Sequence, residues 1–370
     1  MKTTLSAEIA QTPWGQEADK ILRACVHCGF CTAVCPTYQL LGNELDGPRG
    51  RIYLIKSFLE GHPVSVETQK HLDLCLTCRA CESACPSGVA YARLAEMGRY
   101  WIEAQVPRPW SQQILRKSLR TWVPYPKRFK ALMTMGTWFR PLLPQSLQRQ
   151  LPPPAPLSFS WPQPRHTHTM LVLKGCVQAV ATPQVNRATA EVLDQLGISL
   201  LPSPEGCCGA LSHHLGAHEE ALTHIRNLID AWWPYVEQGV EAIVITASGC
   251  GSVVKDYGYL LQHDPDYAFK AQHIGQLSRD LVEILAEEPY RTQLATLCQS
   301  QKTEHPKIAV HAPCSLQHGQ HLTGVLESLL QQLGFELTPV ADSHLCCGSA
   351  GTYSILNPQL AEQLLTNKLK

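Results

Sequence analysis

The spacing of apolar residues predicts a first third that is mostly helical. Ala18, Ile21, Leu22 and Cys25 recur at intervals that place them on one face of a helix. A second apolar run of helical spacing covers residues 52–59 and is followed by glycine and proline, which favour a helix end. Because runs of β-branched residues are few here, we expect residues 1–100 to form a helical domain.

From Met170 onward the apolar pattern changes to short continuous runs separated by helical segments. The runs MLVLKG, ISLLP and AIVITA (242–247) predict buried strands, and helices are predicted through Val192 to Leu196 and over residues 217–233. Strands that alternate with helices are typical of a parallel sheet. The second part of the chain is therefore predicted to be α/β.

Residues 101–167 differ from both neighbours in composition. No aspartate or glutamate occurs from Ala104 to Ala190, where there are twelve lysines and arginines, and five of the eight tryptophans lie between residues 101 and 161. Prolines cluster from residue 152. We interpret this segment as an irregular basic, aromatic linker that is partly helical near residues 114–119. An anionic membrane surface, a groove on a partner protein, or packing against the chain itself each suit such a composition.

Charge and hydropathy exclude some classes of protein. Lysine plus arginine equals aspartate plus glutamate at 31 each, which argues against nucleic acid as a partner. The first twenty residues lack the apolar core of a signal peptide, and no apolar run reaches the length of a transmembrane helix. We therefore expect a cytoplasmic protein without a transmembrane helix, whose cysteines stay reduced.

Eight of the sixteen cysteines form one pattern that occurs twice. Each copy reads C-x2-C-x2-C-x3-C-P, the spacing of bacterial ferredoxins with two [4Fe–4S] clusters. The first copy comprises Cys25, Cys28, Cys31 and Cys35; the second comprises Cys75, Cys78, Cys81 and Cys85. The pattern predicts two [4Fe–4S] clusters and, with them, one-electron transfer.

The proline after each fourth cysteine redirects the chain, so that cysteine is expected to reach the other cluster. One cluster is then held by Cys25, Cys28, Cys31 and Cys85, and the other by Cys75, Cys78, Cys81 and Cys35. Small residues in these loops, such as Gly29 and Ala80, allow backbone N–H groups to approach the sulfurs. Structural zinc is the alternative, but it does not need the third cysteine or the trailing Cys-Pro.

Arg49 and Arg51 follow the first motif in the loop that begins at Asp46. Either arginine is a candidate to donate to a cluster sulfur or to pair with Asp46. The alternative interpretation is a turn that caps the next helix.

The α/β part contains an internal repeat. Cys176 and the Cys207-Cys208-Gly209 run recur 138–139 residues later as Cys314 and Cys346-Cys347-Gly348. Cys250 has no counterpart, because the same offset falls beyond Lys370. We therefore expect the second unit to be incomplete, with an unpaired sheet edge.

Four cysteines of the first unit follow predicted strands and are candidates for a third metal or iron–sulfur site: Cys176, Cys207, Cys208 and Cys250. The carboxyl ends of parallel strands line the binding crevice of an open sheet. The alternative is that these are small buried hydrophobic residues. Histidines near the repeated cysteines are candidates to complete a ligand set: His213, His214, His311, His318 and His344.

Several stretches resemble the iron–sulfur subunits of bacterial glycolate oxidases (glycolate dehydrogenases). They are ILRACVHCGFCTAVCPTYQLLGNELDGPRGRIYLIK, TASGCG (246–251), HAPCSLQH (311–318) and SHLCCGSAGTYS (343–354). More broadly, the chain resembles subunits of heterodisulfide reductase, anaerobic glycerol-3-phosphate dehydrogenase and lactate-utilisation complexes. In relatives of heterodisulfide reductase the Cys-Cys-Gly domains hold unusual clusters with a C-x2-C element, for which this chain offers only Cys250.

The resemblance implies an electron-transfer subunit, peripheral on the inner face of the cell membrane. Flavoprotein subunits of the same complex would oxidise glycolate to glyoxylate, and D-lactate as a further substrate, and electrons would pass to quinone or another membrane acceptor. No G-x-G-x-x-G fingerprint follows a predicted strand in this chain, so flavin is expected on a partner and no residue of this chain is expected to be catalytic. A thiol or disulfide reductase, the equivalent subunit of a lactate or glycerol-3-phosphate dehydrogenase, and a metal-stapled scaffold are the alternatives.

The expected architecture is an α+β multidomain protein. A helical two-cluster ferredoxin domain (1–100) is followed by the linker (101–167), a first Cys-Cys-Gly domain (168–300) and a truncated second one (301–370).

Overall fold

The computed structural model describes residues 1–142, 160–300 and 306–369. By their contacts the residues group into two compact units. Unit 1 comprises residues 1–109, 309–323 and 338–370; unit 2 comprises residues 110–308 and 324–337. This grouping divides the predicted second Cys-Cys-Gly domain between the two units. Residues 143–159, which hold most of the proline-rich stretch, lie outside the described residues.

The first 109 residues of unit 1 are helical, as the apolar spacing predicts. The helices are α1 (Ala7–Ala10), α2 (Pro13–Ala24), α3 (Phe30–Ala33), α4 (Pro36–Leu41), α5 (Pro48–Leu59), α6 (Val66–Asp73), α7 (Ala80–Ser83) and α8 (Tyr91–Gln105). Proline stands at the first position of α2, α4 and α5, where its missing N–H costs nothing. Thr12 caps α2 by accepting a hydrogen bond from the Gly15 amide.

Helices α2, α5 and α8 pack around one apolar core. Leu22, Ile55 and Leu94 are fully buried in it. Gly98 of α8 lies where an added Cβ would stand 2.7 Å from Ile55, so a glycine allows α5 and α8 to approach closely. This core supports the loops that carry the eight cysteines.

Unit 2 contains a parallel four-stranded sheet of order β2-β1-β3-β4. Its strands are β1 (His168–Val172), β2 (Ile198–Pro202), β3 (Ile243–Ile245) and β4 (Ser278–Asp280). The three predicted strands correspond to β1, β2 and β3, and β2 matches ISLLP residue for residue. Leu171, Val172, Ile243 and Val244 are fully buried, since both faces of the sheet carry apolar clusters.

The helices of unit 2 flank this sheet or precede it. They are α9 (Trp110–Trp122), α10 (Pro126–Trp138), α11 (Gln178–Ala181), α12 (Pro183–Gln195), α13 (Ala210–His214), α14 (His218–Glu237), α15 (Ser248–Lys255), α16 (Tyr257–Leu260), α17 (Ala268–Leu277), α18 (Leu281–Ala286) and α19 (Tyr290–Ser300). Trp232 of α14 is fully buried against the sheet. Asp280 and Glu283 form a capping box at the start of α18.

Residues 110–138 are more regular than the linker interpretation expects. Helices α9 and α10 occupy most of them, where only residues 114–119 were predicted to be helical. The prolines on which the interpretation rested cluster from residue 152 and come after both helices. Within residues 110–138, Pro126 stands at the first position of α10, where proline is compatible with a helix.

The remaining elements belong to the second Cys-Cys-Gly repeat. They are the short strands β5 (Ile308–Ala309) and β6 (Leu337–Thr338), which pair with each other, and the helices α20 (Val325–Gln332), α21 (Tyr353–Leu356) and α22 (Pro358–Leu369). The order strand, cysteine, helix, strand, Cys-Cys-Gly, helix follows the predicted repeat.

Candidate metal centre

The two cysteine loops of unit 1 have the same backbone path. His27 and Thr77 stand at equivalent positions and have φ values of 57° and 51°. Gly29 and Arg79 are also equivalent, with φ values of 86° and 62°. Three of these four residues carry a side chain in the left-handed region, which is uncommon outside functional loops. The left-handed residues turn the chain sharply enough to bring three cysteines round one space.

The cysteines of the first predicted ligand set surround one cavity. Cys25, Cys28, Cys31 and Cys85 line about 440 Å³ of space that opens partly to solvent, which we call cavity 1. The loop contributes three of these residues, and Cys85 comes from the second motif, 50 residues further along the chain. Arg49 also lines cavity 1, and its guanidinium lies 2.6 Å from Glu44.

The cysteines of the second predicted set surround a second space of about 370 Å³ that also opens partly to solvent, which we call cavity 2. Cys75, Cys78 and Cys81 come from the second loop, and Cys35 comes from the first motif. Cys81 and Tyr91 line both cavities, so the two spaces adjoin. The structure thus brings each predicted set of four cysteines to one cavity, with the fourth member contributed by the other motif.

A buried arginine lies beside cavity 2. Arg51 is 1% exposed, donates to the His71 carbonyl at 2.7 Å and to Thr37 at 3.2 Å, and lies 4.0 Å from the Asp46 carboxylate. His71 Nδ1 is 2.7 Å from the same carboxylate. Burial alone disfavours the charged form, but Tyr91, Cys75 and other nearby groups raise the pKa of Arg51. Arg51 therefore provides a permanent positive charge at the wall of cavity 2.

The thiol of Cys75 illustrates the effect of that charge. Burial opposes ionisation, but the guanidinium groups of Arg51 and Arg99 lower the pKa of Cys75 below its usual value. The Thr77 amide and the Tyr91 hydroxyl also donate to the Cys75 sulfur, at 3.4 Å and 3.6 Å. In contrast, burial raises the pKa of Cys31 to about 11. Donors to sulfur and positive charge both favour a thiolate, the form that binds metal.

The residues of both cavities fit an iron–sulfur cluster in each. Four thiols converge on each space, and positive groups and N–H donors face the sulfurs. The buried Nε2 atom of His27, which lines cavity 1, has no hydrogen-bond partner. In the tautomer that carries its hydrogen on Nε2, this ring nitrogen can donate to a sulfur acceptor in cavity 1. Within the described residues, no group of three or more histidine, cysteine or acidic side chains is arranged to hold a single metal ion.

The two loops differ in what surrounds them. Val26 and Phe30 of the first loop are 68% and 62% exposed, whereas the equivalent Leu76 and Ala80 of the second loop are 5% and 2% exposed. Leu76 is covered by an apolar cluster from the C-terminal part of unit 1. We call this group, which comprises Cys346, Tyr353, Ala361 and Leu364, the C-terminal cover.

The C-terminal cover brings the second Cys-Cys-Gly motif to the second loop. Cys78 and Cys314 pack against this cluster, and the sulfurs of Cys314 and Cys346 are 3.8 Å apart. The hydrogen bond between these two thiols and their burial raise the pKa of Cys346 to about 12. Nδ1 of His318 is 2.9 Å from Ser83 of α7, which anchors the Cys314 segment to the loop. His318 is thus held by hydrogen bonds to protein groups.

The four candidate cysteines of unit 2 also come together. Cys176 follows β1, Cys207 and Cys208 follow β2, and Cys250 lies in α15 after β3. Their thiols are neighbours in the order Cys176, Cys207, Cys208 and Cys250, and each affects the ionisation of the next. The contact with Cys207, together with burial, raises the pKa of Cys176. The prediction that the strand ends bring these thiols to one place agrees with this arrangement.

The glycine of each Cys-Cys-Gly run has the same structural role. Gly209 and Gly348 have φ values of 84° and 85°. A Cβ at Gly209 would stand 2.9 Å from Ile225, and one at Gly348 would stand 2.7 Å from the Ala361 carbonyl. Glycine is required at both positions for two reasons: the backbone is left-handed, and the next helix approaches closely.

Sequence reasoning missed several residues of these sites. Tyr91, Arg99 and His27 were not identified, although Tyr91 lines both cavities. The sequence left open whether Arg49 and Arg51 donate to a cluster sulfur, pair with Asp46 or belong to a turn that caps the next helix. In the structure Arg49 pairs with Glu44, and Arg51 lies near Asp46. An arginine within an apolar helical stretch was the available signal for Arg51, since a charge on a buried face needs a partner.

Known families match both parts of the chain. Residues 21–89 match the 4Fe-4S dicluster domain, and residues 170–255 and 308–370 match the cysteine-rich domain. The fold and the cysteine cavities thus define a protein that joins a ferredoxin-like dicluster domain to cysteine-rich regions. Among the described residues, no helix combines the length and apolar character needed to cross a bilayer.

The relatives narrow this class. The glycolate oxidase iron-sulfur subunit of Escherichia coli is 54% identical over the whole chain and 89% of its own length. The probable glycolate oxidase iron-sulfur subunit of Bacillus subtilis is 29% identical over 93% of the chain and 82% of its own length. Lactate utilization protein A of Bacillus velezensis is 30% identical over 52% of the chain and 78% of its own length. The chain belongs to the family of glycolate oxidase iron-sulfur subunits.

Proposed function

We propose that this chain is the electron-transfer subunit of a glycolate-oxidising dehydrogenase. The observation that carries the proposal is the pair of adjoining cavities, each lined by three cysteines of one loop and the fourth cysteine of the other motif. Cys25, Cys28, Cys31 and Cys85 hold one [4Fe–4S] cluster, and Cys75, Cys78, Cys81 and Cys35 hold the other. Each cluster, when bound, accepts and releases one electron at a time.

The protein groups around the cavities support that role. Arg49 and Arg51 place positive charge beside the negatively charged clusters, which favours their reduced state. The Thr77 and Val89 amides donate to the sulfurs of Cys75 and Cys85, at 3.4 Å and 3.5 Å. Apolar side chains of the C-terminal cover exclude water from the second loop. Such groups set the reduction potential of a cluster through charge, hydrogen bonds and solvent access.

The reaction that this subunit serves takes place on its partners. Oxidation of glycolate to glyoxylate releases two electrons and two protons, and flavoprotein subunits of the same complex take the pair. This chain carries the electrons singly toward a membrane quinone, which takes up two electrons and two protons. We place the chain at the inner face of the cell membrane as a peripheral subunit. D-lactate, the next 2-hydroxy acid in size, is a second substrate of the partners.

An anaerobic preparation tests the proposal. We expect about eight irons and eight sulfides per chain, and an electron paramagnetic resonance (EPR) signal of two interacting clusters after reduction. In the assembled complex, glycolate reduces these clusters before a quinone analogue is reduced. Iron near zero, or clusters that glycolate cannot reduce in the complex, ends the electron-transfer proposal.

The four neighbouring thiols of unit 2 are candidates to hold a third iron–sulfur cluster. Cys176, Cys207, Cys208 and Cys250 are the candidates, because their side chains are consecutive neighbours at the ends of β1, β2 and β3. If these thiols hold a third cluster, the iron content rises from about eight to near twelve and falls back toward eight in Cys207→Ser. Eight irons in both proteins shows that these thiols hold no cluster.

A thiol–disulfide reaction is the second candidate function. The 3.8 Å distance between the Cys314 and Cys346 sulfurs favours it, since two thiols in contact can form a disulfide with release of two protons and two electrons. The purified chain would then reduce an added disulfide, and Cys346→Ser would abolish that turnover while leaving the iron content unchanged. Absence of turnover by the reduced, iron-loaded protein eliminates this function.

A further inference from the structure

Helices α9 and α10 present their apolar side chains outward. Neither helix has a buried residue. Trp110 and Trp138, near the two ends of the pair, are 75% and 76% exposed. The other large exposed apolar side chains of the pair are Ile114, Leu115, Trp122, Leu132 and Met135. An amphipathic helix of a globular protein normally turns its apolar face to the core, so this arrangement is reversed.

The polar side of α9 faces the body of unit 2. Arg120 pairs with Glu220 of α14 at 3.0 Å, and Arg116 and Arg120 are only partly exposed. In the helical projection Arg116 and Arg120 share one side, opposite the arc that holds Leu115 and Trp122. The ion pair with Glu220 thus holds α9 so that its apolar arc stays in solvent.

Local contacts give the two helices a defined arrangement. The Arg128 guanidinium donates to the Thr121 carbonyl at 2.9 Å and lies 4.3 Å from the centre of the Tyr125 ring. The Tyr125 ring in turn meets the His224 ring of α14 at 5.6 Å. The outward apolar face is therefore built on the same helix, α14, that packs against the sheet.

The positive charge of residues 104–190 favours an anionic partner. Lys117, Lys127 and Lys130 are exposed beside the apolar side chains, and no acidic residue occurs between residues 104 and 190. Anionic phospholipid attracts lysine through its headgroup, accepts leucine, isoleucine and methionine below it, and holds tryptophan at the boundary. All three kinds of side chain occur together on this face. A groove on a partner protein is the alternative occupant, and the test below distinguishes the two.

We propose that α9 and α10 form a membrane-docking surface that lies in the interface of an anionic phospholipid bilayer. This inference rests on the proposed function for its purpose, because a subunit that delivers electrons to a membrane quinone must approach the bilayer. The docking proposal concerns a different part of the chain from the cluster cavities. An experiment can therefore contradict it without contradicting the cluster proposal.

Flotation of the anaerobically purified, iron-loaded full chain with lipid vesicles tests the proposal. Vesicles of phosphatidylcholine with about one third phosphatidylglycerol should carry the protein, and pure phosphatidylcholine vesicles should carry much less. Lys117→Glu, Lys127→Glu and Lys130→Glu combined should weaken binding by roughly a hundredfold or more. Trp110→Ser with Trp138→Ser should weaken it by about tenfold or more, on both kinds of vesicle.

Matched variants control for general effects of charge and apolar surface. Lys2→Glu, Lys20→Glu and Lys70→Glu combined make the same change of charge in unit 1, and Phe269→Ser removes an equally exposed ring from α17. Both controls should bind vesicles like the unchanged chain. Iron content and the EPR spectrum should be the same in every variant, which shows that each has folded and that the cluster proposal stands apart.

Three results overturn the proposal. The first is an unchanged chain that does not float with anionic vesicles. The second is equal weakening by the helix variants and by their controls. The third is loss of binding to the flavoprotein subunits, with vesicle binding intact, in the helix variants, which assigns the face to a protein interface instead.

Discussion

The two cysteine loops of unit 1 share their spacing and backbone but not their surroundings. His27 and Thr77, at equivalent positions, adopt the same left-handed conformation. Yet Val26 and Phe30 are exposed in the first loop, whereas the equivalent Leu76 and Ala80 are buried in the second. The comparison teaches that cysteine spacing determines how the loop wraps a cluster, whereas the intervening residues determine what the loop meets. The first loop is open and the second is covered, so the two cavities have different surroundings.

The largest expected effect comes from breaking the crossed ligand sets. Cys85→Ala and Cys28→Ala should abolish the same EPR signal, because both cysteines line cavity 1. Cys35→Ala and Cys78→Ala should abolish the other signal. In each variant the iron content should fall from about eight toward about four per chain. If Cys85→Ala instead matches Cys78→Ala, each motif serves its own cluster and the crossed assignment is wrong.

The second largest expected effect distinguishes the contribution of Arg51 to stability from that of Arg49. Arg51→Gln removes the buried positive charge beside Asp46 and should lower the free energy of unfolding by roughly 3–5 kcal/mol. Arg49→Gln breaks a pair with Glu44 that is more than a third exposed, and should cost less than about 1 kcal/mol. Denaturant titration under anaerobic conditions measures both.

The same two variants should shift different clusters. Loss of a positive charge lowers the reduction potential, because the reduced cluster is the more negative state. Arg51→Gln should act on the cluster of cavity 2 and Arg49→Gln on that of cavity 1, as measured by EPR-monitored redox titration. Arg51→Lys, which keeps the charge, should leave the potential nearer that of the unchanged protein. Equal shifts of both signals by either variant contradict the assignment of one arginine to each cavity.

A smaller effect tests the difference in burial directly. Leu76→Ala removes a side chain packed under Tyr353 and Leu364, and should destabilise unit 1 by roughly 2–3 kcal/mol. Val26→Ala, at the equivalent position of the first loop, should change stability by less than about 0.5 kcal/mol. The ratio of the two values, from denaturant unfolding of the iron-loaded protein, measures how much the C-terminal cover contributes. Equal values would mean that the cover adds no stability to the second loop.

The smallest expected effect comes from a substitution that destabilises the C-terminal cover but lies outside the second cysteine loop. Gly348→Ala places a Cβ in a left-handed turn and 2.7 Å from the Ala361 carbonyl, and should cost about 2 kcal/mol. Gly324→Ala provides the control, since its φ is also positive but its surroundings are open, and about 1 kcal/mol is expected. Hydrogen exchange at the amides of residues 76–80 should rise in the first variant only. Unchanged exchange there would separate the cover from the second loop.

The sequence predicted those features that depend on local spacing. The cysteine pattern identified the two groups that line the cavities, and apolar runs located β1, β2 and β3. It did not predict features that depend on contacts between distant residues. The burial of Leu76 results from residues near the C-terminus, and no pattern around position 76 indicates it. The helix at residues 126–138 was missed because composition was given more weight than the permitted position of Pro126.

During synthesis on the ribosome the second loop emerges before the residues that cover it, whereas the first loop stays open. Cys78 and the Cys346 that packs near it are far apart along the chain, so the first emerges long before the second. At the usual pace of translation the interval is on the order of 10–50 s. Throughout that time both cysteine loops are equally accessible to the machinery that delivers iron and sulfide. The second loop can close only after α22, which carries Ala361 and Leu364, has left the ribosome, which makes the order of delivery and closure part of how this subunit matures.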